Sequence, residues 1–237
     1  SFNLYEGEIL GIAGVEGNGQ TELVEVLTGL REAASGEVIV KGKNVVNQSP
    51  RAVRMQGVAH IPEDRLTNGV ALDSTIDENL IVDRYFQKPY ASGLLMDYKV
   101  VKKKGKEYIK EYSILTPSGD VPVKALSGGN MQKVIVAREL SLDPHVLIAA
   151  QPTRGIDIGA TEFVQDKIVD IRTKGAAVLL VSADLAEVMS VSDRIIAMYE
   201  GQVTGVFPDA SKVDEKELGL YMLGLKHQPK EEMETLL

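Results

Sequence analysis

The sequence predicts an α/β fold built on a mostly parallel sheet covered on both faces. Three observations carry this. Glu8–Ala13, Val58–Ile61, His145–Ala150, Ala177–Val181 and Arg194–Met198 are short, dominantly apolar runs with little alternation, as strands buried on both sides require. Helical patterns at Thr21–Leu30, Asn130–Leu140, Ile158–Arg172 and Asp184–Met189 separate them, which is the spacing of crossover connections. The first run leads into a glycine-rich segment, Gly14–Gly19, and then a helix: strand, phosphate-sized loop, helix. Gly36–Lys41 reads as a further short strand with a glycine turn at Gly42. Lys99–Tyr112 reads as a charged helix whose Lys102-Lys103-Lys104 run is a solvated face. The stretch from Asp73 to Val123 is too long and irregular for a simple crossover. A helical subdomain is therefore expected over about 73–140, inside one domain spanning 1–237, with a loosely ordered charged tail at 226–237.

Composition narrows the function. The 237 residues carry a net charge of −8, so no global field attracts nucleic acid or anionic lipid. There is no cysteine, hence no disulfide framework and no cysteine–zinc site. His60, His145 and His227 lie far apart without metal-ligand spacing and read as structural or surface residues. No apolar run approaches the about 20 residues of a membrane span, and the first residues do not have the pattern of a signal peptide. Work at a membrane would proceed through a partner. Only thirteen residues precede the glycine loop, although such strands usually sit centrally in their sheets, so upstream strands on a longer polypeptide are expected.

Four segments carry chemistry. Gly14-Val15-Glu16-Gly17-Asn18-Gly19-Gln20-Thr21 has the spacing of a phosphate loop, G-x-x-x-x-G-K-[ST], with Gln20 where lysine belongs. Its glycines let backbone N–H groups converge on phosphate oxygens, and the following helix adds its positive end. Gln20 donates hydrogen bonds without charge. A charge-assisted bond is worth about 1.5–3 kcal/mol against about 1 for a neutral one, so phosphate would bind more weakly; a ligand-free glycine turn is the other reading of this segment. Ser127-Gly128-Gly129 opens a helix that also bears Gln132, leaving backbone donors bare at a positive helix end. The third segment is the apolar strand ending Ala149-Ala150-Gln151-Pro152-Thr153-Arg154-Gly155-Ile156-Asp157, and the fourth is Val181-Ser182-Ala183.

In this order and spacing, with Pro62-Glu63-Asp64-Arg65 and Leu126-Ser127-Gly128-Gly129, the chain resembles the nucleotide-binding domain of ABC transporter ATPases from Gly7 to about Val206. The resemblance implies a core sheet with an antiparallel β part and a helical lobe, and ATP as cofactor. It implies a magnesium-supporting aspartate where Ala150 stands, a water-orienting glutamate at Gln151, a phosphate-contacting histidine at Ala183 and a glutamine at Glu63. Thr21 is left as a weak magnesium ligand, with the metal weak or absent here. Such domains pair head to tail, each ATP lying between one domain's phosphate loop and the other's signature, with Asp157 at the domain contact. This chain departs at Gln20, Ala150, Gln151 and Ala183 while keeping its signature.

The Pro62–Arg65 element and the Ala149–Gly155 run are most similar to second, C-terminal domains of sugar and nucleoside importers, in particular nucleoside importers served by basic-membrane-protein-type lipoproteins. The resemblance implies a half that does not hydrolyse ATP and lends its signature to a partner domain, expected on the same polypeptide. It also implies permease subunits, an indirect lipoprotein partner, no nucleic acid, and a peripheral place on the cytoplasmic face of the cell membrane. Two other classes stay open: an active stand-alone ATPase that tolerates the substitutions, and a regulatory ATP-binding module outside transport. The Asp73–Asp97 region, with Tyr85, Phe86 and Tyr90, is expected to help dock a permease. Gly129 is expected to be bare so that a partner domain can approach.

Overall fold

The computed structural model describes residues 1–93 and 95–236. Its elements run β1 (Ile9–Ala13), α1 (Gln20–Leu27), β2 (Ile39–Val40), β3 (Lys43–Asn44), α2 (Pro50–Arg54), β4 (Val58–Ile61), α3 (Ile76–Ile81), β5 (Ala91–Ser92), β6 (Leu95–Met96), α4 (Tyr98–Glu111), α5 (Gly128–Leu140), β7 (Val146–Ala150), α6 (Ile158–Thr173), β8 (Ala177–Ser182), α7 (Leu185–Val191), β9 (Arg194–Tyr199), β10 (Gln202–Phe207), α8 (Glu215–Met222) and α9 (Lys230–Leu236). The chain divides into two compact units. One holds Ser1–His60, Pro144–Gln151 and Ile168–Leu237; the other holds Ile61–Asp143 and Pro152–Lys167.

The sheet runs β10-β9-β1-β8-β7-β4. Strands β1, β7, β8 and β9 are parallel, and β10 closes one edge antiparallel to β9. Every residue of β1 and β8 is buried, which is why these strands lack alternation. The parallel register sets Ala13 beside Ser182 and Ala150 beside Val181, so three strands end level with one another. Leu10, Ile12, Ile148, Leu179, Val181 and Ile196 fill the core on one side. Ala13, Val188, Ile195, Leu218 and Tyr221 belong to a second cluster.

Two local expectations change. The Gly36–Lys41 strand shrinks to Ile39–Val40: Gly36 turns through φ of 97° at the expected start, and Lys41 and Gly42 turn through 47° and 76° after Val40. The 226–237 segment, expected to be loose, carries α9 with Met233 buried, and Gln228 both donates to and accepts from the Val206 backbone. The charged residues of this helix hid one apolar contact.

The second unit is mainly helical. Thr75 and Glu78 cap α3 reciprocally, Asp97 caps α4, and Ser127 caps α5 two residues earlier than expected. Arg84 and Arg138 are buried but satisfied. Arg84 donates to the Arg138 carbonyl and to Ser141 Oγ (2.8 Å) and pairs with Asp83. Arg138 donates to the Gly69 carbonyl at 2.8 Å and pairs with Glu139. Gly69 packs so closely on Ile135 that a Cβ would lie 2.6 Å from Ile135 Cδ1. The turn Arg65–Gly69 is thus fastened to α5. Asp77 presses Oδ1 against Gly105 and Gly119, and burial pushes its carboxyl up to about 6. Tyr85 is exposed, but Tyr90 is buried in a small cluster with Ile81 and Val101 and is not available at the surface. Apolar residues near a proline and glycine read alike whether they cap a mini-core or face solvent.

Candidate functional site

The Gly14–Gly19 loop leaves the carboxyl end of β1, an interior strand, and opens α1. This is where open α/β sheets bind ligands. Gly17 and Gly19 hold φ of 86° and 99°, which side chains strongly disfavour. Gly14 is needed for space: a Cβ there would lie 2.0 Å from Gln20 Nε2 and 2.9 Å from the Met198 carbonyl. Gln20 is buried and its amide donates to the Val15 carbonyl at 3.1 Å. The loop is held from behind by the β9–β10 turn. Glu200 N–H donates to Asn18 Oδ1 at 3.0 Å, and Gly201 N–H to the Asn18 carbonyl at 2.8 Å. Val15, Glu16 and Thr21 are exposed, Thr21 in the first turn of α1.

Level with this loop, β7 ends at Ala150, whose methyl is buried. Gln151 follows with φ of 47°, a conformation that costs a non-glycine residue of order 1 kcal/mol or more. It is held there at both ends. Its N–H donates to the Val181 carbonyl at 2.7 Å, and its Oε1 accepts from Ala183 N–H at 3.2 Å. Sequence reasoning placed Gln151 and Ala183 as separate departures; the structure joins them by a hydrogen bond. A bound nucleotide's phosphates fit the glycine loop, with its N–H groups and the α1 end. For a magnesium ion, Thr21 carries a hydroxyl in the first turn of α1, and Ala150 carries no side-chain oxygen.

In the second unit Ser127 is exposed. Its Oγ accepts from Asn130 N–H at 3.4 Å and from the Asn130 side chain at 3.0 Å. Gly128 is less confined: a Cβ there would approach Arg65 Nη2 at a tight 3.3 Å and lie in ordinary contact with the Gly155 carbonyl (3.6 Å) and Arg65 Cζ (3.7 Å). Gly129 is different. It is buried, and a Cβ would come within 2.7 Å of Asp157 Oδ2 and 2.8 Å of Ala160 Cβ. Its bareness is required inside this chain, which adds a reason not foreseen from the sequence. Asp157 Oδ1 accepts from Ala160 N–H at 2.9 Å and so starts α6. Gln132 is buried and donates to the Pro152 carbonyl at 2.7 Å. Glu63 pairs with Arg154 at 2.7 Å, and Arg65 donates to the Arg154 and Gly155 carbonyls at 2.5 and 2.7 Å. Glu63, Gln132, Asp157 and the signature are thus one connected group. Arg65 and Arg154 were missed as participants, because a side chain-to-carbonyl pairing 89 residues apart leaves no trace in spacing.

A model of the family described as ABC transporter matches residues 1–154. The chain belongs to the ABC transporter family. It is similar to the guanosine import ATP-binding protein NupO of Bacillus subtilis (strain 168), at 45% identity over 94% of this chain and 44% of that protein. It is also similar to the nucleoside import ATP-binding protein NupA of Lactococcus lactis subsp. cremoris (39% identity, 94% of this chain, 44% of that protein). The ribose import ATP-binding protein RbsA of Geobacillus kaustophilus matches at 38%, over 87% of this chain and 41% of that protein. The chain spans less than half the length of these relatives. Among solved structures, a nucleotide-free ATP-binding cassette from an ABC transporter aligns with a TM-score of 0.74 at 22% identity, over 97% of this chain and 88% of that one. A dimeric post-hydrolysis cassette bound to ADP and Pi gives the same TM-score at 22% identity, over 86% and 87%. The fold is the ABC ATPase cassette, a nucleotide-binding fold. Among the described residues no helix is long and apolar enough to cross a membrane.

Proposed function

We propose that this chain is the degenerate ATP-binding half of an importer ATPase for nucleosides or sugars, and that it lends its signature to the ATP site of another cassette. The observation that carries the reading is the closed pair Gln151–Ala183. Where the family places a water-orienting carboxylate and a phosphate-contacting imidazole, this chain has an amide oxygen accepting from a backbone N–H at 3.2 Å. An amide is a poor base at neutral pH, and Ala183 offers no side-chain donor. The buried Ala150 methyl removes the anchor for magnesium. By contrast the signature, at the start of a capped thirteen-residue helix, keeps its glycines and its exposed serine.

The cargo class follows the relatives, whose names specify guanosine, nucleosides and ribose. The second cassette is the N-terminal half of the same polypeptide, in keeping with the relatives' greater length. Permease subunits complete the importer at the cytoplasmic face of the membrane, and a lipoprotein delivers cargo to them. Tyr85, exposed beside Phe86, is a candidate for the permease contact. The purified chain is expected to release no phosphate from magnesium-ATP above a background insensitive to Gly19→Trp, a change that fills the loop. Steady release abolished by Gly19→Trp would instead establish an active stand-alone ATPase.

A further inference from the structure

Three segments of the second unit converge on one guanidinium. Arg65 begins the turn that follows Pro62–Asp64. That turn is anchored at its start by Asp64, whose carboxylate accepts from Leu66 and Thr67 N–H, and at its end by the Arg138–Gly69 bond. From this fixed base the two terminal nitrogens of Arg65 fork onto successive carbonyls, those of Arg154 (2.5 Å) and Gly155 (2.7 Å). The fork needs those carbonyls side by side, and the φ of 63° at Gly155 lies between the two. The same Nη2 lies against Gly128, 3.3 Å from where its Cβ would be. The guanidinium therefore fills the gap between the start of the signature helix and the 154–157 backbone. Two straps run alongside: Gln132 to the Pro152 carbonyl and Arg154 to Glu63.

We infer that Arg65 is a positioning residue for the signature. It holds the Arg154–Asp157 backbone at a set distance from the Ser127–Gly129 helix end, so that both reach a second cassette as one body. The inference rests on the reading that the signature serves another cassette's ATP. Charge alone does not do this work. A lysine reaches one carbonyl at a time, whereas the planar fork spans both. Arg65 is only half-buried and the Gln132–Pro152 bond remains without it, so its loss leaves the unit folded. The cost falls on spacing, and small misplacements of positioning groups are expensive in turnover.

The test uses the full-length polypeptide with its permease, reconstituted in vesicles. ATP turnover is measured against ATP concentration for Arg65→Lys, Arg65→Ala and Gly128→Asp, with amide exchange of residues 152–160 followed by mass spectrometry. Arg65→Lys and Arg65→Ala are expected to lower kcat alike, by about tenfold, with KM within about twofold, and to speed exchange across Gly155–Asp157. Wild-type turnover in Arg65→Lys, with turnover lost in Gly128→Asp, overturns the Arg65 assignment alone and leaves charge as the operative property. Unchanged exchange in both Arg65 variants also overturns it. Unchanged turnover in Gly128→Asp overturns the signature reading, whatever Arg65 does.

Discussion

The two ends of an ABC cassette's chemistry are built differently in this chain. At the glycine loop and the ends of β7 and β8, the informative side chains are neutral amides and methyls turned onto their own backbone. Gln20 bonds the Val15 carbonyl, Gln151 bonds Ala183 N–H, and Ala150 is buried. Around the signature, charged and amide side chains strap three segments together, and the glycines and Ser127 keep their places. One region has the backbone shape of a phosphate site without a charged side chain turned onto it. The other combines charged straps with close-fitting glycines. On the proposed reading the first is a site relieved of catalysis and the second a site in use.

The contrast breaks most readily in the reconstituted transporter. Gly128→Asp adds a carboxylate at the positive end of α5, which favours the helix itself, yet sets a negative charge where a triphosphate would approach. Turnover is expected to fall by at least about a hundredfold, as for loss of an oxyanion donor. Gln151→Ala in the same preparation is expected to change turnover less than about threefold, far from the 10²–10⁴ of a lost general base. The reverse ranking removes the asymmetry between the regions, and severe loss in both assigns hydrolysis or gating to the Gln151 site.

A stability measurement sharpens the comparison within the signature. Gly129→Ala drives a methyl into Asp157 Oδ2 and Ala160 Cβ, at 2.7 and 2.8 Å. It should cost about 1–3 kcal/mol in urea denaturation. Gly128→Ala meets Arg65 Nη2 at 3.3 Å and the Gly155 carbonyl at 3.6 Å, looser contacts than those at Gly129, and gains helix propensity, so it should cost clearly less than Gly129→Ala. Equal effects would mean that Gly129 is not packed inside its own chain. The smallest effect is at the loop. Gln20→Lys should tighten ATP by about 1–2 kcal/mol in calorimetric titration without magnesium. No gain would show that the loop rejects phosphate for reasons beyond missing charge.

Legibility differed along the same line. The sheet strands were plain in the sequence, because burial on both faces forces dominantly apolar runs: Val58–Ile61 is a strand over the expected range and β7 differs by one residue. The glycine loop and signature were plain because bare backbone requires glycine at fixed offsets. What stayed hidden were contacts made by generic residues. Tyr90 turns inward and Met233 docks a tail whose charges masked it. Arg65 was visible in a motif, but its role depends on where the Arg154 and Gly155 carbonyls point, a property of backbone and not of side-chain type. The extra duty of Gly129 was hidden for the same reason, since Asp157 and Ala160 approach it through the fold.

The turn at Glu200–Gly201 gives the glycine loop a form of memory. Asn18 is gripped from outside by two backbone N–H groups, and Gly201 backs Gly19 at 2.9 Å from its would-be Cβ, so the loop's curvature is held by this turn as well as by the Gln20–Val15 bond. A mutation at residue 20 removes one of these holds and leaves the other. A cation at residue 20 is thus one substitution away. Carboxylates at positions 150 and 151 are harder to install, since a buried methyl and a strained backbone would have to change together.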